Sequence, residues 1–242
     1  MTTTTTVAAR AVGATKIYGG GEGEVRALDG VDVEFEAGRF TAIMGPSGSG
    51  KSTLMHCLAG LDRLSSGRVF IGDTFLDDLN DSKLTELRRD KVGFVFQAFN
   101  LISELSIAEN VEVPLLYQGI SANDRRARAH DALKLVGLEN RVHHRPRELS
   151  GGQQQRAAIA RALVGSPAIL MADEPTGNLD SHTGQAILET FEELHSRGLT
   201  LIMVTHDDRI AGRCQRVVRL KDGELESDRD GGGRRRTAED TR

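Results

Sequence analysis

At residues 45–52 the sequence reads Gly45-Pro46-Ser47-Gly48-Ser49-Gly50-Lys51-Ser52. This run matches, without deviation, the pattern of Gly, any four residues, Gly, Lys and then Ser or Thr. In such a run the glycines let backbone N–H groups turn inward around phosphate oxygens, Lys51 supplies a mobile cation, and the Ser52 hydroxyl can bind Mg²⁺. The run therefore predicts a phosphate-binding loop for a nucleoside triphosphate.

The residues on both sides of this loop support the same interpretation. An apolar run at 40–44 directly precedes the loop, and Leu54 and Leu58 give the residues after it a helical pattern. The motif requires this order of strand, loop and helix. A glycine-rich turn is the alternative, but usual residue frequencies produce an accidental match in a chain of this length only about once in a hundred. The context favours the nucleotide site.

Short apolar runs alternate with helical patterns along the chain. These runs cover residues 40–44, 92–96, 168–172, 199–205 and 216–220. Continuous apolar runs of this length are typical of strands that are covered on both faces, and helices between them indicate a mainly parallel sheet. The sequence therefore predicts an α/β fold that resembles the RecA-like core of P-loop NTPases.

Two further patterns add to this core. Residues 68–75 turn at Gly72-Asp73 and residues 216–225 turn at Asp222-Gly223, which are short-range hairpin signals and predict a small antiparallel β layer. Between about 98 and 164 strand signals give way to helical ones. That change predicts an inserted helical subdomain.

The composition indicates a soluble globular chain of one domain. Of its 242 residues, 38% are hydrophobic and 27% are charged, and no apolar run approaches the length that a membrane span or an export signal requires. The net charge of −4 disfavours a nucleic acid partner, and the two cysteines fit a reducing, cytoplasmic setting. We expect the domain at 10–226, flanked by mobile tails at 1–9 and 227–242 that have little apolar area to bury.

Two acidic residues follow one of the predicted buried strands. Asp173 and Glu174 come directly after the run at 168–172, at the end of the strand where open α/β sheets bind ligands. Asp173 would hold Mg²⁺ through its water shell, and Glu174 would polarise the attacking water. An ordinary acidic turn at the end of a strand is the alternative. The phosphate loop upstream favours the metal interpretation, because that site needs a magnesium ligand.

A second motif makes a family resemblance specific. The sequence reads Leu149-Ser150-Gly151-Gly152-Gln153-Gln154-Gln155-Arg156. With the loop at 45–52, this run resembles the signature of the ATP-binding subunits of ABC transporters, and the resemblance extends from about residue 10 to 226. A Ser hydroxyl and two glycine N–H groups at the start of a helix form an anion site. The resemblance implies that this site closes on the γ-phosphate of ATP held by a second copy, in a head-to-tail homodimer.

The resemblance also implies roles for single residues. It places Tyr18 against adenine, Gln97 at Mg²⁺ or the attacking water, Asp180 in a loop that joins the two sites of the dimer, and His206 at the γ-phosphate. The nucleotide-binding set includes Ser150, Gly151, Gly152, Gln153, Asp173, and every residue from Gly45 to Thr53. The implied metal ligands are Ser52, Gln97 and Asp173, and the implied catalytic residues are Glu174, His206, Gln97 and Lys51. Without the resemblance, the alternatives are that Tyr18 is an ordinary surface residue of a loop and that His206 is a structural histidine.

Within this family, the chain resembles the macrolide-exporter and lipoprotein-release group. The strings at 98–101 and 174–180 carry this likeness, whereas Leu101-Ile102-Ser103 departs from it where many relatives have a proline. The resemblance implies a subunit at the cytoplasmic face of the membrane that powers a separate membrane permease. The alternatives are a regulatory ATPase that signals to cell-wall hydrolases through a permease-like partner, and a soluble ATPase that acts on DNA or ribosomes.

Overall fold

The main sheet of the computed structural model, which describes residues 6–231, has six strands. Its strands are β3 (Phe40–Met44), β6 (Val92–Val95), β7 (Ile169–Asp173), β8 (Thr200–Val204), β9 (Arg216–Lys221) and β10 (Glu224–Asp230). Their order is β10-β9-β3-β8-β7-β6, and all neighbours are parallel except β10, which pairs antiparallel with β9 at the edge. The predicted α/β class is confirmed.

The second sheet is antiparallel and has four strands. They are β1 (Val7–Tyr18), β2 (Val25–Glu36), β4 (Ser66–Ile71) and β5 (Thr74–Phe75), in the order β2-β1-β4-β5. The hairpin predicted at residues 68–75 is formed by β4 and β5, whereas the hairpin predicted at 216–225 is formed by β9 and β10 and belongs to the main sheet, because β9 pairs with β3. The layer is larger than the hairpin signals indicate, because the long strands β1 and β2 supply half of its strands.

Seven α-helices complete the described part of the chain. They are α1 (Lys51–Leu58), α2 (Asp81–Lys91), α3 (Ile107–Tyr117), α4 (Ala122–Leu135), α5 (Gly151–Leu163), α6 (Ser181–Ser196) and α7 (Asp208–Ala211). Helices α3, α4 and α5 pack on one another and form the helical insertion expected at 98–164. Buried apolar residues of these three helices contribute to a hydrophobic core.

The main sheet separates two hydrophobic cores. Side chains alternate between its faces, so that Ala42 and Met44 of β3 enter the core shared with the helical insertion and α6. Ile43 of the same strand enters the core shared with α1 and the antiparallel layer. The helices and the second sheet therefore cover both faces of the parallel strands. The carboxyl ends of β3, β7 and β8 remain at one edge, where a ligand can approach.

The strands extend past the predicted domain bounds of 10–226. Strand β1 begins at Val7, within the predicted tail 1–9, and β10 continues to Asp230, within the predicted tail 227–242. Backbone pairing to β9 orders the polar residues 227–230, and Asp228 also accepts two hydrogen bonds, of 2.7 and 2.5 Å, from the Arg216 guanidinium. These residues are ordered without burying much apolar area. The rest of both predicted tails, 1–5 and 232–242, lies outside the described residues.

The helices were compared, in length and composition, with what a membrane crossing requires. Within residues 6–231, none of them combines the length and the apolar composition that a membrane crossing requires.

Candidate active site

The phosphate loop connects β3 to α1 at the ligand-binding edge of the main sheet. At Gly45 the backbone has a φ of +146°, and a Cβ atom would lie 2.1 Å from the carbonyl oxygen of Leu220. At Gly50 the φ is +93°, and a Cβ atom would lie 2.2 Å from the carbonyl oxygen of Ala27. Both positions therefore accept only glycine, and strands β2 and β9 hold the loop tightly against the sheet.

An open cleft of about 710 Å³ lies over this loop. It is lined by Val25, Ala27, Gly45, Pro46, Ser47, Gly48, Gly50, Lys51, Ser52, Thr53, Glu174 and His206. The predicted loop residues, apart from the buried Ser49, therefore share one surface with two of the predicted catalytic residues. Val25 and Ala27 are cleft residues that the sequence analysis missed, since only the pairing of β2 with the rest of its sheet brings them there.

Lys51 lies almost fully buried at the base of the cleft. It is 6% exposed, and its Nζ donates a hydrogen bond of 2.7 Å to the carbonyl oxygen of Pro46 within the same loop. Across residues 6–231, no carboxylate forms an ion pair with it. A buried ammonium without an anionic partner suits an anionic ligand, because the ligand can supply the missing charge.

Ser52, which lines the cleft, contacts Asp173. The Ser52 hydroxyl donates a hydrogen bond of 2.9 Å to Oδ1 of Asp173 at the end of β7. A hydroxyl and a carboxylate are hard oxygen donors, which are the ligands that Mg²⁺ prefers. These two predicted ligands therefore fit the metal.

The third predicted metal ligand, Gln97, lies beside a different loop. Its Nε2 donates to Oδ1 of Asn178 at 3.4 Å, and the Asn178 amide donates to the Gln97 carbonyl at 3.0 Å. Gln97 is not among the residues that line the cleft in the described part of the chain. The structure thus pairs it with the segment that follows Glu174, and its role as a metal ligand stays a prediction.

A histidine that the sequence analysis left out also contacts this region. Nε2 of His56 on α1 lies 3.4 Å from Oδ2 of Asp173, and its ring centroid lies 5.6 Å from that of Phe94 on β6. Its position five residues after Lys51 on the helix carries no signal of its own, because the contact depends on how α1 packs against the sheet.

Glu174 and His206 form a pair at the mouth of the cleft. Nδ1 of His206 lies 3.4 Å from Oε2 of Glu174. The Glu174 backbone has a φ of +44°, in the left-handed region that a residue with a side chain seldom adopts, and such strain concentrates at functional sites. Backbone bonds from Glu174 to the Val204 carbonyl and from Gly177 to the Glu174 carbonyl hold this turn. A carboxylate and an imidazole so placed can orient a water molecule over the loop.

Tyr18 lies at the end of β1, beside the cleft. Its hydroxyl donates a hydrogen bond of 2.7 Å to Oδ2 of Asp62 and also interacts with the Thr53 side chain. Burial, together with this bond to the carboxylate, raises the pKa of Tyr18 to about 12. Tyr18 is 41% exposed, so part of it is accessible to a ligand.

The signature run forms the first turn of α5 and does not line the cleft of its own chain. Ser150 caps the helix, accepting a bond of 3.4 Å from the Gln153 N–H, while Gln153 Oε1 accepts a bond of 3.0 Å from the Ser150 N–H. Gly151 and Gly152 supply the other N–H groups of this turn. Ser150 is exposed, so the helix N-terminus presents its donors to solvent.

Asp180 also lies outside the cleft, where it caps α6. Its carboxylate accepts hydrogen bonds from the backbone N–H groups of His182 and Thr183 and from the Thr183 hydroxyl, at 3.1, 3.0 and 2.6 Å. The Thr183 hydroxyl, the largest contributor, and the two N–H groups hold the pKa of this carboxyl below its usual range. The side chain orders the loop before α6.

The first turn of α5 packs directly against the segment that follows Glu174. Nε2 of the fully buried Gln155 donates a bond of 2.7 Å to the Pro175 carbonyl. A Cβ atom at Gly152 would lie 2.3 Å from Cγ2 of Thr183. The signature turn and residues 175–183 are therefore held together within one chain.

A comparison with protein-family models identifies a family to which the chain belongs. The family described as "ABC transporter" matches residues 28–177, which include the phosphate loop, the signature run, Asp173 and Glu174. This match covers more than half of the chain.

Comparison with curated proteins and solved structures gives close relatives. The chain is 51% identical over 211 residues to an uncharacterised ABC transporter ATP-binding protein of Thermotoga maritima, covering 87% of this chain and 90% of the relative. It is 50% identical over 214 residues to the macrolide export ATP-binding/permease protein MacB of Hyphomonas neptunium, covering 88% of this chain and 33% of MacB. The chain thus spans about one third of the length of that relative.

A solved structure resembles the whole fold. It is the dimeric, post-hydrolysis state of the ATP-binding cassette MJ0796 of Methanocaldococcus jannaschii bound to ADP and Pi. Its TM-score is 0.85 at 45% sequence identity, covering 92% of this chain and 98% of that one.

Proposed function

The chain belongs to the ABC transporter family and is an ATP-hydrolysing domain of it; from this premise we propose that it powers a separate membrane permease. We propose that it does so through ATP-driven dimerisation, and the observation that carries this step is the division of the site. The triphosphate-binding cleft has Glu174 and His206 at its mouth, whereas the signature turn at Ser150 lies elsewhere on the surface. Each chain therefore contributes one half of each of two ATP sites.

The cleft residues divide the work of hydrolysis among them. The N–H groups of the loop and Lys51 bind the β- and γ-phosphates and offset their charge. Ser52 and Asp173 would hold Mg²⁺, which supplies charge stabilisation to the phosphoryl oxygens when bound. Glu174 orients the water for in-line attack, and His206 beside it contacts the γ-phosphate.

The exposed signature turn supports a head-to-tail dimer. A helix N-terminus with exposed N–H groups attracts an anion, and the phosphate loop of its own chain lies in a cleft that this turn does not line. In the proposed dimer, each Ser150 faces the γ-phosphate of the ATP that the other copy holds. Lys51 of that copy binds the phosphates of this ATP, and its Tyr18 contacts the base. The related cassette MJ0796 is described as dimeric with ADP and Pi bound, which supports the same assembly here.

Cysteine crosslinking tests this arrangement. In the proposed dimer, Gly48 of the phosphate loop would lie opposite Ser150 of the other copy. Gly48 has a φ of +80°, which a cysteine adopts only with strain, so the cysteine is placed at the neighbouring, exposed Ser47. We expect a chain with Ser47→Cys and Ser150→Cys to form covalent dimers when ATP is present and to form few without it. The two native cysteines are buried, and burial raises the pKa of each to about 12, so they contribute little to the reaction. Denaturing electrophoresis measures the dimer.

A matched pair serves as the control. Ser103→Cys replaces Ser150→Cys, since Ser103 is also exposed but belongs to the loop before α3. That pair should not crosslink with ATP. Equal crosslinking of both pairs, or none for Ser47 with Ser150 at saturating ATP, would contradict the head-to-tail dimer.

The permease partner is proposed from the relatives and from the surface. MacB of Hyphomonas neptunium is named as an ATP-binding/permease protein, and the present chain aligns with about one third of its length. The helical insertion exposes large apolar side chains at Ile102, Leu116 and Tyr117, which are 44%, 52% and 73% exposed. Exposed apolar residues of this size are suited to a protein contact. We place the chain at the cytoplasmic face of the membrane through this contact.

Purification from detergent-treated membranes tests the partner. We expect the tagged chain to retain an integral membrane protein, and Ile102→Glu to reduce its recovery. Leu61→Glu is the control, because Leu61 is 45% exposed and lies outside the helical insertion. Recovery of ribosomes or DNA in place of a membrane protein would support the soluble alternative. A permease-like protein that arrives with a cell-wall hydrolase would support the signalling alternative.

A further inference from the structure

The loop between α1 and β4 carries a carboxylate, Asp62, that holds the aromatic residue beside the cleft. We propose that Asp62 and Lys16 are positioning residues that fix the Tyr18 ring for stacking on the nucleotide base, and thereby set affinity for the base rather than for the phosphates. This inference rests on the proposed function, in which the cleft binds ATP.

Asp62 binds three donors at once. Its Oδ2 accepts the Tyr18 hydroxyl at 2.7 Å, and its Oδ1 accepts both the Lys16 ammonium and the Arg63 backbone N–H at 2.7 Å. Lys16 also donates to the Arg63 carbonyl at 2.6 Å. The carboxylate is thus held by the loop and by β1, and Tyr18 is held by the carboxylate.

Lys16 also contacts the ring itself. Its Nζ lies 4.8 Å from the centroid of the Tyr18 ring, within the range of a cation–π interaction. Its side chain is only 12% exposed, so the ammonium does not move freely in solvent. With the cation on one face, a base can stack only on the opposite face. The cluster therefore selects one face of the ring for the ligand.

The ring lies next to the cleft by strand register. Tyr18 on β1 pairs with Val25 on β2, and Val25 lines the cleft with 60% of its surface exposed. The Tyr18 hydroxyl also interacts with the side chain of Thr53, another cleft residue. The aromatic ring and an apolar side chain therefore lie where the part of a nucleotide beyond its phosphates would extend.

The protonation states keep this arrangement intact at neutral pH. The pKa of Tyr18 is raised to about 12 by burial and by the bond to Asp62, so the hydroxyl remains a donor. Burial acts to raise the pKa of Asp62, but the hydrogen bonds from Lys16 and Tyr18 prevail and hold it below its usual range. A permanent donor thus faces a permanent acceptor.

A purely structural role would have different consequences. If Asp62 served only to attach its loop to β1, its loss would weaken every ligand of the cleft alike. A positioning role predicts that a ligand with a base is affected and that a ligand with phosphates alone is not. Tripolyphosphate with Mg²⁺ is such a ligand, because it can occupy the phosphate loop without reaching Tyr18.

The test measures the affinity of the full-length chain for ATP by calorimetry. The affinity for tripolyphosphate is measured by its competition with ATP. We expect Asp62→Ala to weaken ATP binding about fivefold to tenfold, which is part of the effect of one base–aromatic stack. Tripolyphosphate affinity should stay unchanged. Tyr18→Phe, which keeps the ring and loses the hydroxyl, should give a similar loss for ATP. Asp62→Asn, which keeps an acceptor, should restore most of it.

Two further variants make the result decisive. In a Tyr18→Ala chain, adding Asp62→Ala should cause no further loss of ATP affinity, because Asp62 acts through the ring. Asp78→Ala, at an exposed position nearby in sequence, is the matched control and should leave both affinities unchanged. Equal losses for ATP and tripolyphosphate would overturn the positioning role. An unmodified chain that binds neither ligand would overturn the proposed function, and this inference with it.

Discussion

Replacing Lys51 by alanine is expected to weaken ATP binding roughly 100-fold or more, because two charge-assisted contacts to the β- and γ-phosphates are lost. The ammonium is nearly buried and has only the Pro46 carbonyl as a hydrogen-bond partner in the described chain. Its charge is therefore available to the ligand, and the contact is strong because water screens a buried charge only slightly. Isothermal calorimetry with Mg·ATP measures the change.

The fold should survive this substitution. Lys51 has no carboxylate partner within residues 6–231, so its removal leaves no buried anion unpaired. Lys51→Met preserves more of the side-chain volume and should bind ATP as poorly as Lys51→Ala. Lys83→Ala removes an exposed lysine of α2 and should bind ATP normally. ATP affinity within twofold of the unmodified chain, in a folded Lys51→Ala variant, would refute the phosphate loop as the binding site.

Glu174→Gln is expected to reduce the rate of ATP hydrolysis about 100-fold to 10,000-fold, which is the usual contribution of a positioned general base. The amide keeps the shape of the side chain and removes the charge that polarises the water. ATP binding should persist, since Glu174 lies at the mouth of the cleft and Lys51 at its base. The variant should therefore accumulate as an ATP-bound dimer, because hydrolysis no longer removes the γ-phosphate contacts that hold two copies together.

Phosphate release and light scattering follow the two effects separately. Glu226→Gln, on the exposed surface of β10, is the control for loss of a carboxylate and should leave turnover unchanged. A Glu174→Gln variant that stays monomeric with ATP and hydrolyses it at the normal rate would exclude both the general base and the dimer.

The parallel core was predictable because its strands are apolar on both faces. Residues 40–44 and 200–204 are buried throughout, so period-two alternation is absent and a continuous run marks each strand. The ends of the domain were not predictable in this way. Residues 227–230 form part of a strand through backbone bonds and through ion pairs such as Arg216 with Asp228, and neither leaves an apolar pattern in the sequence.

The site was predictable where motif and strand end coincide. The loop at 45–52 and the pair Asp173-Glu174 follow buried strands directly, and the structure brings them to one edge. Val25 and His56 were missed because their contacts arise from the packing of separate elements. Gln97 was assigned from resemblance, and in this structure it lies beside Asn178. The positions of Gln97 and Tyr18 relative to a nucleotide remain predictions.

The attachment of α5 to residues 175–183 connects the signature turn rigidly to the segment that follows Glu174. Gln155 donates a hydrogen bond to the carbonyl of Pro175, next to Glu174, and Gly152 packs closely against Thr183. A push on the signature turn by the twin's triphosphate would therefore be transmitted to the backbone that carries the chain's own water-orienting carboxylate. In such a dimer, we expect the position of each Glu174 to respond to the nucleotide that the other copy holds.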